Sequence, residues 1–264
     1  DGDAMNDQGC TIVTVMGDPI VATSIHAGHD VRPDVLGRSA LDEGTRLREE
    51  DPFTDRWLPI AGNQIDVQRS RFELDLNRPR DAAVYLDADA AWSLDLWTSP
   101  LPPDVIERSR EIYDAFYEEL AGVCDSVAAE HERFVVLDLH SYNHRRGGPD
   151  APVDDPEMNP EINVGTGSVD RPAWDDIVDV FSKALRQFPF DGGHLDVREN
   201  IRFRGGHMSG WINNRYAGRG CALAIEAKKF YMDEWSGQPF EPLIATIGDA
   251  LAAAAEAVRH ELRS

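Results

Sequence analysis

Three largely apolar runs of strand length constrain this chain more than any other feature: Ile20 to Ile25, Phe134 to Leu139 and Ala222 to Ile225. None alternates as a strand with one wet face would. Such runs suit strands covered on both sides, the mark of a mostly parallel sheet. Thr11 to Met16 is a fourth run of this kind, whereas Phe72 to Leu76 alternates and predicts an edge or half-exposed strand. Each of the first three is followed at once by a residue suited to chemistry: His26, His140 and Glu226. In open α/β sheets, ligands sit at the carboxyl ends of the strands. The pattern therefore predicts two imidazoles and a carboxylate around one crevice.

Between the runs lie helical segments. After Pro102 and Pro103, the apolar positions Val105, Ile112, Tyr113, Phe116, Leu120, Val123, Cys124 and Val127 follow three-and-four spacing, and the prolines suit a helix start. Ile244, Ile247, Leu251, Ala255, Val258 and Leu262 repeat the pattern, and a third helix is expected from about Trp174 to Phe188. Strands alternating with helices argue for an α/β layered fold. Residues 141–171 form a long polar connection, expected to close over the site, and residues 51–68 form a second irregular zone. No shift in composition marks a boundary, so one domain is expected over residues 1–264, with residues 1–10 a flexible N-terminus.

Charge narrows the function. The chain has 48 acidic and 26 basic residues, a net charge of −22. That field repels nucleic acid and anionic membrane. Of the basic residues only Lys183, Lys228 and Lys229 are lysines; the rest are arginines, several in clusters such as Arg69, Arg71, Arg78 and Arg80, Arg145 and Arg146, and Arg198, Arg202 and Arg204. Most of them are expected to pair with the abundant carboxylates. As a set, they suggest a small anionic ligand, because the guanidinium fork holds carboxylates in bidentate fashion. Cys10, Cys124 and Cys221 are odd in number and far apart, which favours a reducing, cytoplasmic setting; Cys124 and Cys221 read as inert core residues. The acidic, polar start of the chain gives no sign of a secretory signal, and no run is long enough to span a membrane.

Two neutral imidazoles and one carboxylate suit zinc with one position left open. Carboxylates for a third ligand are available in Arg48-Glu49-Glu50-Asp51-Pro52-Phe53-Thr54-Asp55. His29 could be a ligand, a partner of one or a helix-start residue, and His144 is expected to face substrate or solvent. Gly205 and Gly206 predict either a close approach of backbone to ligand or a plain turn. The nucleophile elbow GxSxG, the zinc motif HExxH and the phosphate loops GxxxxGK and GxGxxG are all absent.

Six segments occur in order: Ser24-Ile25-His26-Ala27-Gly28, Glu50-Asp51-Pro52-Phe53-Thr54-Asp55, Asp75-Leu76-Asn77-Arg78-Pro79-Arg80, Asp138-Leu139-His140-Ser141-Tyr142, Asn163-Val164-Gly165-Thr166 and Ile225-Glu226 with Phe230 to Glu234 after it. Together they resemble the N-formylglutamate amidohydrolase (deformylase) family over about residues 20–240. His140-Ser141-Tyr142 also looks like the last ligand motif of the zinc carboxypeptidases. The resemblance implies their three-layer α/β sandwich around a mixed, mostly parallel sheet. It further implies one Zn²⁺ and hydrolysis of an amide or formamide on an acidic amino acid.

Carried over by position, His26 and His140 would be metal ligands and Glu226 the catalytic glutamate. Asn77 and Arg78 would hold a substrate carboxylate, and Arg71 or Arg80 would polarise the scissile carbonyl. His144 and Gly206 join the expected substrate contacts. The carboxypeptidase spacing His-x-x-Glu fails because position 29 is His29, so the middle ligand must come from elsewhere: Asp51 first, Glu50 second. Ala27 and the stretch Ala227-Lys228-Lys229 also depart from the family pattern. Two other classes stay open: a zinc peptidase or maturation hydrolase acting on a carboxylate-bearing peptide, and a non-catalytic ligand-binding homologue.

Overall fold

Backbone pairing begins with the runs singled out above. The computed structural model describes residues 11–264; the expected flexible N-terminus and Cys10 lie outside them. In chain order the elements are β1 (Thr11–Thr14), β2 (Ile20–Ser24), α1 (Pro33–Leu36), α2 (Glu43–Glu49), β3 (Asn63–Val67), α3 (Pro103–Glu130), β4 (Phe134–Tyr142) and β5 (Ile162–Gly165). Next come α4 (Arg171–Gln187), a short ribbon of β6 (Pro189–Phe190) and β7 (Gly193–His194), β8 (Val197–Glu199), α5 (His207–Arg215), β9 (Gly220–Lys228) and α6 (Glu241–Leu262).

Among the described residues, seven strands form one mixed sheet in the order β1-β3-β2-β4-β9-β5-β8. Its centre, β3-β2-β4-β9, is parallel; β1 runs antiparallel to β3 and β5 antiparallel to β9. The longest pairing, β4 with β9, sets His140 opposite Glu226. Both faces are covered. On one, Ile20, Val135, Leu137, Leu223 and Ile225 pack against Trp174, Ile177 and Phe181 of α4 and Ile244, Ile247 and Leu251 of α6. On the other, Val21, Ile65, Val136 and Ala222 meet Ile112, Phe116 and Leu120 of α3 and Met208 and Ile212 of α5. The result is a helix–sheet–helix sandwich. Cys124 and Cys221 are free and buried, and burial pushes both thiols up to about 12. Among the described residues no helix is long and apolar enough to cross a membrane.

Four expectations change. Thr11 to Met16 is not covered on both faces: β1 is an edge strand that alternates half-buried with exposed residues, and Val15 and Met16 beyond it are exposed. Phe72 to Leu76 is not a strand: its amides go into turns, Glu73 and Leu74 to the Ser70 carbonyl and Asp75 to that of Ala83. The apparent alternation is broken because Glu73 and Asp75 are as buried as their apolar neighbours. The zone 51–68 holds a 3-10 turn, Thr54–Ile60, and then β3, whose polar residues Gln64 and Asp66 alternate with buried Asn63, Ile65 and Val67. The polar connection 141–171 contains β5, fully buried despite Asn163. That asparagine spends its amide on backbone groups of Arg202 and Phe203.

One glycine ties β2 to the segment after β3. A Cβ on Gly28 would lie 2.3 Å from the carbonyl carbon of Gln68. Backbone cannot yield as a flexible side chain does. Gly28→Ala is therefore expected to lower unfolding stability by roughly 2–3 kcal/mol in denaturant titration; a change below about 0.5 kcal/mol would show that the two segments separate freely.

Candidate functional site

The parallel centre of the sheet brings its carboxyl ends to one edge, and the chemistry-bearing residues gather there. His26 lies two residues beyond β2. His140 and Glu226 sit inside β4 and β9, which run on to Tyr142 and Lys228 rather than ending at them. Asp51 follows α2, its amide donating to the His26 carbonyl at 2.9 Å. The two imidazole centres are 5.0 Å apart.

One carboxylate oxygen organises the group. Asp51 Oδ2 is 3.0 Å from His140 Nδ1 and 3.4 Å from His26 Nδ1. The far side of each ring faces a second buried acid: His26 Nε2 is 2.7 Å from Asp75 Oδ1, and His140 Nε2 is 3.0 Å from Asp138 Oδ2. The hydrogen bond to Asp75 holds the His26 proton on Nε2 and leaves Nδ1 as the lone-pair nitrogen, while Asp138 flanks His140 Nε2 at ion-pair distance. Among the described residues, buried His26 Nδ1 has no hydrogen-bond partner. One ligand atom from each of His26, Asp51 and His140 lies within 4.8 Å of the others. An unpartnered buried nitrogen beside a second imidazole and a carboxylate fits a divalent cation such as zinc. The other candidate for the middle position, Glu50, turns away; its Oε2 is 2.5 Å from His29 Nδ1 and its Oε1 accepts from Ser70. Those contacts also account for His29.

The charges fit this geometry. Burial raises the affinity of Asp51 for a proton, but the hydrogen bond with His140 and the charge of both imidazoles outweigh it and hold the carboxyl far below its ordinary range. Asp75 is depressed in the same way, burial being overcome by Arg71 and His26. Burial opposes charging of His140, yet Asp138 and Asp51 bring it well above its usual value. Glu226 goes the other way: burial, with Asp51 and Asp138 nearby, pushes its carboxyl up to about 8.

These groups open into a cleft of about 330 Å³, within the size range of small-molecule sites. Arg71 lines it, donating to Asp75 at 2.8 Å and stacking over Trp92 at 4.7 Å, with its Nε buried and unpartnered. Asn77 lines it too. Its Oδ1 accepts from the amide of Met208 at the start of α5, which leaves the amide nitrogen for a ligand. Gly206 presses against that side chain: a Cβ there would fall 2.2 Å from Asn77 Oδ1, so only glycine lets Asn77 and α5 meet.

The cleft does not include every expected residue. Arg80 is exposed and pairs with Asp114 and Glu107 on α3. Arg78 stands 4.0 Å from Asp75 Oδ2, behind the cleft lining, donates to the Ala90 carbonyl and packs over Tyr85. His144 is buried 2.6 Å from Glu234, away from the cleft lining. In each case a nearer partner holds the side chain elsewhere. Other residues went unassigned in the sequence. Asp138 stands two residues before His140 on one strand, and a period of two puts both on the same face; that was a readable signal. Asp75 had none, since its turn aims it. Lys229 is buried, and its ammonium donates to the carbonyls of Arg48 and Glu50 and to Asn143 Oδ1, tying the segment that carries Asp51 to the end of β9. Burial lowers its pKa.

The family model for N-formylglutamate amidohydrolase matches residues 18–232. Among solved structures, an N-formylglutamate amidohydrolase from Ralstonia eutropha JMP134 superposes with a TM-score of 0.75 at 18% identity, covering 96% of this chain and 98% of that one. A gene product from Agrobacterium tumefaciens superposes with a TM-score of 0.61 at 14% identity, covering 96% and 97%. Comparison with curated proteins gave no match.

Asp138 is the cleanest probe of the cation site, because among the described residues its carboxylate meets only His140, at ion-pair distance, and the Thr23 hydroxyl, which donates to it. Asp138→Asn is expected to weaken divalent-cation binding about 10–100-fold in competition with a chelating indicator. Unchanged affinity would remove Asp138 as the residue that orients His140.

Proposed function

Because the chain belongs to the N-formylglutamate amidohydrolase family, we propose that it is a zinc-dependent hydrolase cleaving the amide or formamide of an N-acylated acidic amino acid such as N-formylglutamate. One arrangement supports this above all: His26, Asp51 and His140 converge through Nδ1 and a carboxylate oxygen, and Glu226 stands beside His140 in the next strand. His26, Asp51 and His140 would hold the ion, which when bound supplies Lewis acidity and a water made nucleophilic at neutral pH.

The chain's own groups do the rest. Glu226 is partly exposed to the cleft, and a dication held beside it would bring its raised pKa back down, so that this carboxylate accepts a proton from the attacking water and returns it to the leaving nitrogen. Arg71, fixed by Asp75 and Trp92, directs donors at the carbonyl oxygen as charge develops there; a preorganised donor of this kind is worth roughly 3–4 kcal/mol. The amide nitrogen of Asn77 orients a substrate carboxylate, and Gly206 sets its position. Arg78 and Arg80, held elsewhere, have no part in this scheme.

Turnover of N-formylglutamate should vanish on chelation and return with Zn²⁺. Glu226→Gln should keep one metal per chain while kcat falls by about 10²–10⁴. Full activity in the chelated protein would sink the metal role, and an unchanged kcat in the variant would sink Glu226 as the proton carrier. Turnover confined to carboxylate-bearing peptides would move the substrate class to a peptidase.

A further inference from the structure

Three cleft arginines take no part in the chemistry above. Arg146, Arg202 and Arg204 line the cleft. Among the described residues, none of their guanidiniums has a carboxylate within 4.0 Å or a side-chain hydrogen bond. Arg38 and Arg145 share that lack, but neither lines the cleft; these three combine it with a place at the site. Elsewhere Arg80, Arg133, Arg171 and Arg259 all find carboxylates at 2.6–2.8 Å.

The backbone beneath two of them is fixed. Asn163, fully buried on β5, accepts from the amides of Arg202 and Phe203 and donates to the Phe203 carbonyl at 2.8 Å. The Gly167 amide donates to the Arg204 carbonyl at 2.6 Å. Gly165 and Gly167 allow this approach: a Cβ on either would fall 2.6–2.7 Å from backbone atoms of Gly205 and Arg204. Asn163 also pairs in register with Glu226. The arginine segment is thus held one strand away from the glutamate. On the other segment, Glu234 accepts from the amides of His144 and Arg145, and Trp235 donates to the Arg145 carbonyl, just before Arg146.

Free cations on a fixed backbone beside a reacting centre are built to receive an anion. The geometry points to a second anion subsite, in which Arg202 and Arg204, with Arg146, take a substrate carboxylate remote from the scissile amide. This rests on the hydrolytic reading of the cleft and deepens it: these residues, not Arg78 and Arg80, select an acidic side chain. The subsite also has a binding consequence that needs no turnover. A bare dicarboxylate should occupy the cleft, and a monocarboxylate of similar length should hold only weakly.

The test is calorimetric binding of glutarate and butyrate to the zinc-loaded protein, its Arg202→Gln and Arg204→Gln variants and the double variant. Glutarate is expected to bind the parent at least tenfold more tightly than butyrate. Each single substitution should weaken glutarate by roughly 10–100-fold, the loss expected for one charge-assisted hydrogen bond, and the double variant should bring the ratio toward one. Glutarate binding no better than butyrate, or binding unaffected in the double variant, overturns the subsite. Intact glutarate selectivity without hydrolysis of any N-acyl amino acid would sink the catalytic reading and leave the subsite standing.

Discussion

A buried carboxylate between two buried imidazoles is the interaction on which the rest depends. Taking a carboxylate out of water costs several kcal/mol unless partners replace the lost hydration. Asp51 has His140 and His26 on one oxygen, and Ser141 donates to the other at 3.3 Å. Those partners exist only because β2 and β4 run parallel and adjacent, so that residues beyond one and within the other reach the same edge. Behind them Asp75 bonds His26 Nε2 and Asp138 flanks His140 Nε2, so that both Nδ1 atoms face forward. The site is thus two layers of carboxylate around two histidines, and the inner layer is left able to hold a cation.

The strong negative charge of the chain takes on a different meaning in this setting. At the surface, acidic residues pair with arginine in exposed ion pairs of small net effect, as Arg80 does with Asp114. Around the cleft the balance reverses. Arg71, half-buried, and Lys229, buried, are held by the site's own acids and carbonyls, and among the described residues Arg146, Arg202 and Arg204 have no carboxylate within 4.0 Å. An acidic envelope with a locally cationic opening repels polyanions in general while still giving a small anion a place to dock.

Strands with continuous apolar character and the two long helices were readable because burial on both faces, or along one stripe, leaves a plain pattern. His26, His140 and Glu226 were readable for the same reason, since each comes directly after such a run. Asp51 stood among several carboxylates, and only the turn after α2 separates it from Glu50, which faces His29. The strands β3 and β5 hid behind polar residues that are satisfied by tertiary contacts, Asn163 most clearly. The segment Phe72 to Leu76 misled because buried Glu73 and Asp75 look, as sequence, like residues facing water.

By itself the sequence determined the layered α/β architecture, the segments of its core and the three residues at the heart of the candidate site, because those depend on local periodicity and on the residue at the end of each apolar run. Only the tertiary structure decided which carboxylate joins the histidines, which arginines are left free for a ligand and which are consumed by nearer acids. Those outcomes depend on distances between residues far apart in the chain. With so many acids and arginines available, residue type alone leaves the partners undetermined.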